Sequence, residues 1–381
     1  MSDNMIPLPD EQDTMAQRWE RLRPYLLDPR EDYPEPYYML EYNGVPFSTI
    51  GGIQAMSGQK KNGKSFVFTM LMAAVLGSGE AGSRTEEYLP GLMVPQRTID
   101  YLGHKPKVLY CDTEMEKLNT AKVMRRVHWL CGWDMKEPND RLSILWLKSM
   151  PKDDKFPAWK QRFDLIKEGI DVISPDIVFI DGMRDLMASI NDEETATQIL
   201  EYLGTTAEEK HICIWNALHQ NPRINSDGDD KMRGWAGTEL GNKVSDTLVS
   251  VKKKDDKGVT FTVKQVDARG KDLEDWKFEI TDDAGNLGIP KIISTGSAKD
   301  MAYDDPAVIR GWIEEARNGF EWPMTRQQVK KIVFGQVGGQ KNSTRQQQDL
   351  EVAINMSYLV ESTIKSGNGS YMLLPNDDMP F

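Results

Sequence analysis

The chain has 381 residues, 39% of them hydrophobic and 28% charged, with a formal net charge of −12. That balance is ordinary for a soluble globular protein. It removes whole-chain attraction to phosphate and so excludes tight non-specific nucleic-acid binding outside a local basic patch. No apolar run reaches the roughly 18 residues that a bilayer span needs, and no membrane partner is expected. The first residues, MSDNMIPLPDEQD, are too acidic and polar for a signal peptide. Cys111, Cys131 and Cys213 form no C-x-x-C pair, which points to reduced thiols in a cytoplasmic compartment rather than a disulfide frame or zinc site.

In chain order, residues 1–34 read as an N-terminal extension holding an amphipathic start at Met15–Leu27. A Pro- and Tyr-rich connector, DYPEPYYML, follows. Short apolar strands then alternate with helical patterns over a domain spanning residues 35–292. Strands are predicted at 53–57, 107–112, 142–147, 176–181 and 212–217, and helices at 64–77, 115–131, 157–173 and 192–209. The alternation implies βαβ units and an α/β domain whose mostly parallel sheet has helices on both faces. Three further strands, 246–254, 259–267 and 276–281, lack long helices between them and read as an antiparallel edge. Residues 293–303 are small and polar, a linker. In the segment 304–375, helices are predicted at Ala307–Arg317, Thr325–Val333 and Arg345–Ser362. A hairpin at 364–374, with Asn368-Gly369 in its turn, completes a winged-helix-like pattern. An acidic tip, 376–381, ends the chain.

Residues 58–65, GQKKNGKS, fit G-x-x-x-x-G-K-[ST] between a strand and a helix, the context a phosphate-binding loop requires. Gly58 and Gly63 let the backbone turn so that amides across Gln59, Lys60, Lys61, Asn62 and Phe66 point at phosphates. Lys64 would reach the β- and γ-phosphates of ATP, and Ser65 would offer its hydroxyl to Mg²⁺. In PDIVFIDG, residues 175–182, Asp181 ends an apolar strand, where a carboxylate beside such a loop serves Mg²⁺. In VLYCDTEMEK, residues 108–117, Glu114 follows the strand's end. If that strand neighbours the phosphate-loop strand, Glu114 faces the γ-phosphate and can deprotonate the attacking water. Asp112 has a capping or supporting role.

Together these segments resemble the RecA-like ATPases. The TEM ending is similar to the LEM ending of replicative hexameric helicases of the DnaB and RepA type, which implies that Glu114 is the catalytic base. HICIWNALHQNP, residues 211–222, resembles that family's sensor strand and assigns the γ-phosphate contact to His219 or Gln220. KMRGWAGTELGNKVSDTLVSVKK, residues 231–253, looks like the family's segment after a channel-facing loop, which would bring Arg223, Lys231 and Arg233 to DNA. FTVKQVDARGKD, residues 261–272, is similar to the strand that sends cationic fingers into a neighbouring subunit, here Lys264 and Arg269, although the spacing is longer than usual. The resemblance covers roughly residues 35–292 and implies a homo-oligomer, with a hexamer as one form. It suggests work on single-stranded DNA in replication or mobilisation of an extrachromosomal element. An ATP-gated loader that recruits replication proteins is the alternative.

Two features lie beyond that domain. The stretch starting at Met324 carries Arg326, Lys330, Lys331, Lys341 and Arg345 without an acid, a local basic patch suited to nucleic acid. The ending PNDDMPF, with Asp377, Asp378, Pro380 and Phe381, resembles the C-terminal tip of bacterial single-stranded-DNA-binding proteins. That implies docking to replication proteins that recognise such tips.

Overall fold

The structure is a computed structural model and describes residues 13–189, 192–220, 232, 234–255, 258–293, 306–339, 343–356, 358–367 and 370–376. It divides into two compact units, Met1–Ile292 and Ile293–Phe381.

The first unit opens with α1 (Met15–Leu22), none of whose residues is buried, and then a hairpin of β1 (Tyr38–Tyr42) and β2 (Val45–Thr49). Next come β3 (Ile53–Gly58), α2 (Lys64–Gly77), α3 (Thr85–Tyr88), β4 (Leu92–Met93) and α4 (Gln96–Leu102). They are followed by β5 (Val108–Asp112), α5 (Lys117–Leu130), β6 (Leu142–Trp146), α6 (Ala158–Ile173), β7 (Ile177–Asp181), α7 (Glu193–Lys210) and β8 (Cys213–His219). The unit closes with α8 (Gly234–Lys243), β9 (Asp246–Asp255), β10 (Gly258–Ala268), β11 (Trp276–Thr281) and β12 (Ile289–Ile293).

Nine strands form one sheet in the order β12-β11-β10-β9-β3-β8-β7-β5-β6. The parallel strands alternate their side chains between two cores. Val108 and Tyr110, like Ile177 and Phe179, face the core built with α2 and α5. Leu109 and Cys111, like Val178 and Ile180, face the core built with α6, α7 and α8. Both faces are therefore covered, as near-continuous apolar runs such as IVFI require. This is the mixed α/β architecture that the RecA-like resemblance implies.

Three expectations need correction. Strand β5 does not neighbour the phosphate-loop strand β3, because β8 and β7 lie between them. The stretch 246–254 is not part of a purely antiparallel edge: β9 runs parallel to β3, and antiparallel pairing starts only with β10. The cause is α8, which provides the crossover that a parallel return needs. In the second unit the expected helix Arg345–Ser362 stops at Asn355, and Leu359–Lys365 is a strand in which Leu359 and Ser362 are buried while Glu361 and Thr363–Lys365 are exposed.

The second unit contains α9 (Pro306–Gly319), α10 (Arg326–Val329) continued by a π-helical stretch Lys330–Val337, α11 (Ser343–Asn355), and a hairpin of β13 (Leu359–Lys365) and β14 (Tyr371–Pro375). An antiparallel bridge joins Met324 to Leu373. Its own core gathers Ile309, Ile313, Val333, Phe334, Leu350 and Leu373. The linker residues 294–303 and the hairpin turn Asn368-Gly369 lie outside the described residues. Among the described residues no helix is long and apolar enough to cross a membrane.

Candidate functional site

The carboxyl ends of β3, β8, β7 and β5 form one rim. Register places Gly58 beside His219, Asp181 beside Ala217, and Asp112 beside Asp181. A cavity of about 800 Å³ opens there, lined by residues 60–66 together with Glu114, Asp181 and His219.

The loop from Gly58 to Gly63 closes onto α2. Gly63 has φ +85°, and a Cβ there would meet the Phe261 ring at 2.8 Å, so glycine is the residue that fits. The Lys64 ammonium is buried and donates to the carbonyls of Gly58 at 3.1 Å and Gln59 at 3.4 Å, and to His219 Nδ1 at 2.9 Å. Burial lowers its pKa, against the opposing pull of Asp181 and Glu114. The Ser65 hydroxyl donates to Asp181 Oδ2 at 2.6 Å, and the Tyr110 hydroxyl donates to the same oxygen at 2.8 Å. Burial pushes the Asp181 carboxyl up to about 6, while those two donors pull it down.

Glu114 sits half-buried across the cavity from the loop, its Oε2 3.4 Å from His219 Nε2. With Lys64 donating to Nδ1, the ring proton belongs on Nε2, facing the carboxylate. The His219 hydrogen bond is the main cause holding Glu114 below the usual carboxylate range, with burial opposing it. Glu114 therefore reaches the loop lysine through one imidazole even though its strand is not adjacent to β3. The side chain gets there because Thr113 leads the chain over the end of β7. Its N–H and hydroxyl donate to the Asp181 and Gly182 carbonyls at 3.1 and 2.8 Å.

Gly182 makes that crossing possible. Its φ is +111°, and a Cβ would lie 2.3 Å from Thr113 Oγ1 and 2.6 Å from Glu114 Cγ. Gly182→Ala should displace Glu114. We expect turnover to fall roughly 10- to 10²-fold, the scale of a misplaced catalytic group, with nucleotide affinity retained. Steady-state kinetics beside a binding titration checks this.

Other predicted residues fall elsewhere. Gln220 is buried, its N–H on the Gly58 carbonyl at 3.3 Å and its backbone bridged to Met232, so His219 rather than Gln220 faces the cavity. Lys264 is exposed on β10 and 3.4 Å from Asp275. Arg269 follows β10 beside Ser245, at the end of the sheet away from the phosphate loop. Neither lines the cavity of its own chain. Arg326 is exposed and pairs with Glu361 at 3.6 Å; Lys330 and Lys331 lie in the π-helical stretch and Arg345 in the first turns of α11. Arg223, Lys231, Arg233, Lys341, Asp377, Asp378, Pro380 and Phe381 lie outside the described residues.

Sequence reasoning missed the outer wall. Asn119, Lys122 and Arg126 line the cavity from one face of α5, at helical spacings of three and four residues, and Lys252 adds a cation from β9. The spacing was a signal that could have been read. Arg126 packs over the Phe66 ring at 4.3 Å and donates to the Leu287 and Gly288 carbonyls; burial lowers its pKa to about 10. Lys60, Lys61, Lys64, Lys122, Arg126 and Lys252 outnumber Glu114, Asp181 and Glu279 around the cavity, which suits a polyanion within an acidic chain.

Ser65 and Asp181 bring two oxygens together at 2.6 Å in the cavity that Lys64 also lines. Among the described residues no cluster of three or more His, Cys, Asp or Glu could hold a metal. The pair fits Mg²⁺, which takes one or two protein oxygens and completes its shell with water and phosphate.

The class defined by fold and site is an α/β protein with a glycine- and lysine-rich loop between β3 and α2 and acidic residues at the neighbouring strand ends. Among solved structures, the chain is similar to a KaiC-like protein from the hyperthermophilic archaeon Pyrococcus horikoshii OT3 at 12% identity. That match covers 68% of this chain and 99% of the other, with a TM-score of 0.42. No family model and no curated protein matches the chain.

Proposed function

We propose that the chain is a RecA-like ATPase that uses Mg²⁺ and works as a motor on DNA. The observation that carries the hydrolase reading is the convergence of Lys64, Ser65, Asp181, His219 and Glu114 on one cationic cavity. Lys64 and the loop amides bind the β- and γ-phosphates and offset their charge. Glu114 takes a proton from water as the water oxygen attacks the γ-phosphorus, and the bond to the β–γ bridging oxygen breaks, releasing ADP. His219 reads whether the γ-phosphate is present, since a phosphate oxygen competes with its Nδ1 for Lys64. Mg²⁺, held by Ser65 and Asp181, would neutralise phosphate charge.

Action on DNA rests on less. The second unit orders its elements as helix, bridge strand, helix, helix and hairpin, the arrangement of a winged helix. Arg326, Lys330, Lys331 and Arg345 lie on its second and third helical segments and would meet phosphates. In an oligomer such as a six-membered ring, Lys264 and Arg269 would act on a neighbour's nucleotide. The ending with Asp377, Asp378, Pro380 and Phe381 would dock to replication proteins.

The test is the ATPase rate with and without a single-stranded oligonucleotide, beside particle mass with a non-hydrolysable ATP analogue. Stimulation by DNA and nucleotide-dependent assembly are expected. A monomer with DNA-insensitive turnover would overturn the motor and favour an ATP-gated adaptor.

A further inference from the structure

We propose that Asp112 is a positioning residue for Glu114, fixing the base through the backbone of the turn that carries it; this rests on the ATPase reading above.

Asp112 is fully buried at the last position of β5. A carboxylate stripped of water must be compensated by donors. All three of its side-chain donors come from the eight residues that follow it. Oδ1 accepts the N–H groups of Glu114 at 3.0 Å and Met115 at 2.9 Å, and Oδ2 accepts the Thr120 hydroxyl at 2.6 Å. None is a cation, so the carboxylate does not serve an ion pair. It serves a turn: one oxygen gathers two successive amides, as an Asp side chain does when it replaces a backbone acceptor. The other oxygen ties that turn to the first turn of α5.

The neighbours complete the frame. Thr113 is bonded to the end of β7, and the Met115 carbonyl accepts the Trp146 indole N–H at 2.9 Å. Glu114 thus lies between two residues whose backbones are pinned, with its own N–H pinned by Asp112. Only its side chain remains to adjust, and it points to His219. Asp112 does not line the cavity; its hydrogen bonds lead to the turn that carries Glu114, and its charge, which also raises the pKa of the neighbouring Asp181, is left in place by Thr120→Val. It also explains how a base on a strand separated from β3 by two others keeps its position at the γ-phosphate.

Three variants test this in the full chain, with single-turnover ATP hydrolysis and analogue binding as readouts. Asp112→Ala removes every acceptor and should lower kcat on the order of 10²-fold, with nucleotide affinity unchanged. Asp112→Asn keeps an oxygen for both amides, and the Thr120 hydroxyl can turn to accept, so most activity should return. Thr120→Val deletes one donor without changing size and covers the case in which Asp112→Ala does not fold; it should lower kcat several-fold, again without loss of affinity. In a Glu114→Gln background, neither Asp112→Ala nor Thr120→Val should slow hydrolysis further. Full additivity with Glu114→Gln, or normal kcat in both Asp112→Ala and Thr120→Val beside a stalled Glu114→Gln, would overturn the positioning role alone. Normal turnover of Glu114→Gln would instead overturn the base assignment, and the positioning role with it.

Discussion

Glu114→Gln is expected to bind ATP as the parent does and to hydrolyse it about 10²- to 10⁴-fold more slowly, the contribution of a general base. The substitution keeps the side chain's size and one carbonyl oxygen, so the contact with His219 Nε2 at 3.4 Å can persist. What disappears is the capacity to take a proton. In the parent that capacity is set by two opposed influences, since the His219 contact lowers the Glu114 pKa and burial raises it. Analogue binding by titration and single-turnover hydrolysis separate the two steps. Normal turnover would place the base elsewhere; lost binding would show that the glutamate holds nucleotide rather than water.

The phosphate loop, Asp181 and Glu114 were legible because each depends on local chain geometry. A glycine forced to φ +85° before Lys64, and a carboxylate at the end of an apolar strand, leave a mark within a few residues. Strand order leaves no such mark. The pattern VLYCD says that β5 is buried on both faces, and it says the same for any interior position in the sheet. Hence the supposed neighbourhood of β5 and β3 failed, although Glu114 and Lys64 still line one cavity. The turn after β5 brings the carboxylate across β7, and D-T-E-M contains that turn. The role of Asp112 could have been read from its offsets of two and three residues to the amides it accepts. Helix α8 was hidden by its two internal glycines, Gly237 and Gly241, which weaken helix propensity. Gly237 is there because a Cβ would strike the Met232 backbone at 2.6 Å, a packing demand invisible in sequence. The overrun of α11 into Leu359–Lys365 has the opposite cause. Arg345–Asn355 sets a helical period, and LVESTIK, whose burial does not alternate, offers no strand period to interrupt it.

Lys64→Met should weaken nucleotide binding roughly 30- to 5,000-fold without unfolding the protein. Methionine keeps the unbranched stem in the buried channel and removes only the ammonium. That charge is held by two carbonyls and His219, and burial works against it, as its lowered pKa indicates. Removing a buried charge that is mainly served by neutral acceptors relieves desolvation, so the melting temperature without nucleotide should equal or exceed the parent's. With nucleotide the balance reverses. The ammonium meets a polyphosphate in a site shielded from water, and truncating one partner of such a buried charge contact costs about 2–5 kcal/mol, roughly 30- to 5,000-fold in affinity. At an analogue concentration well above the parent's Kd and below the variant's, the parent should therefore gain thermal stability and the variant little. Differential scanning with and without analogue reads both halves at once. A variant that melts lower than the parent without ligand would assign Lys64 to the fold. An equal gain with ligand would remove it from the phosphate site.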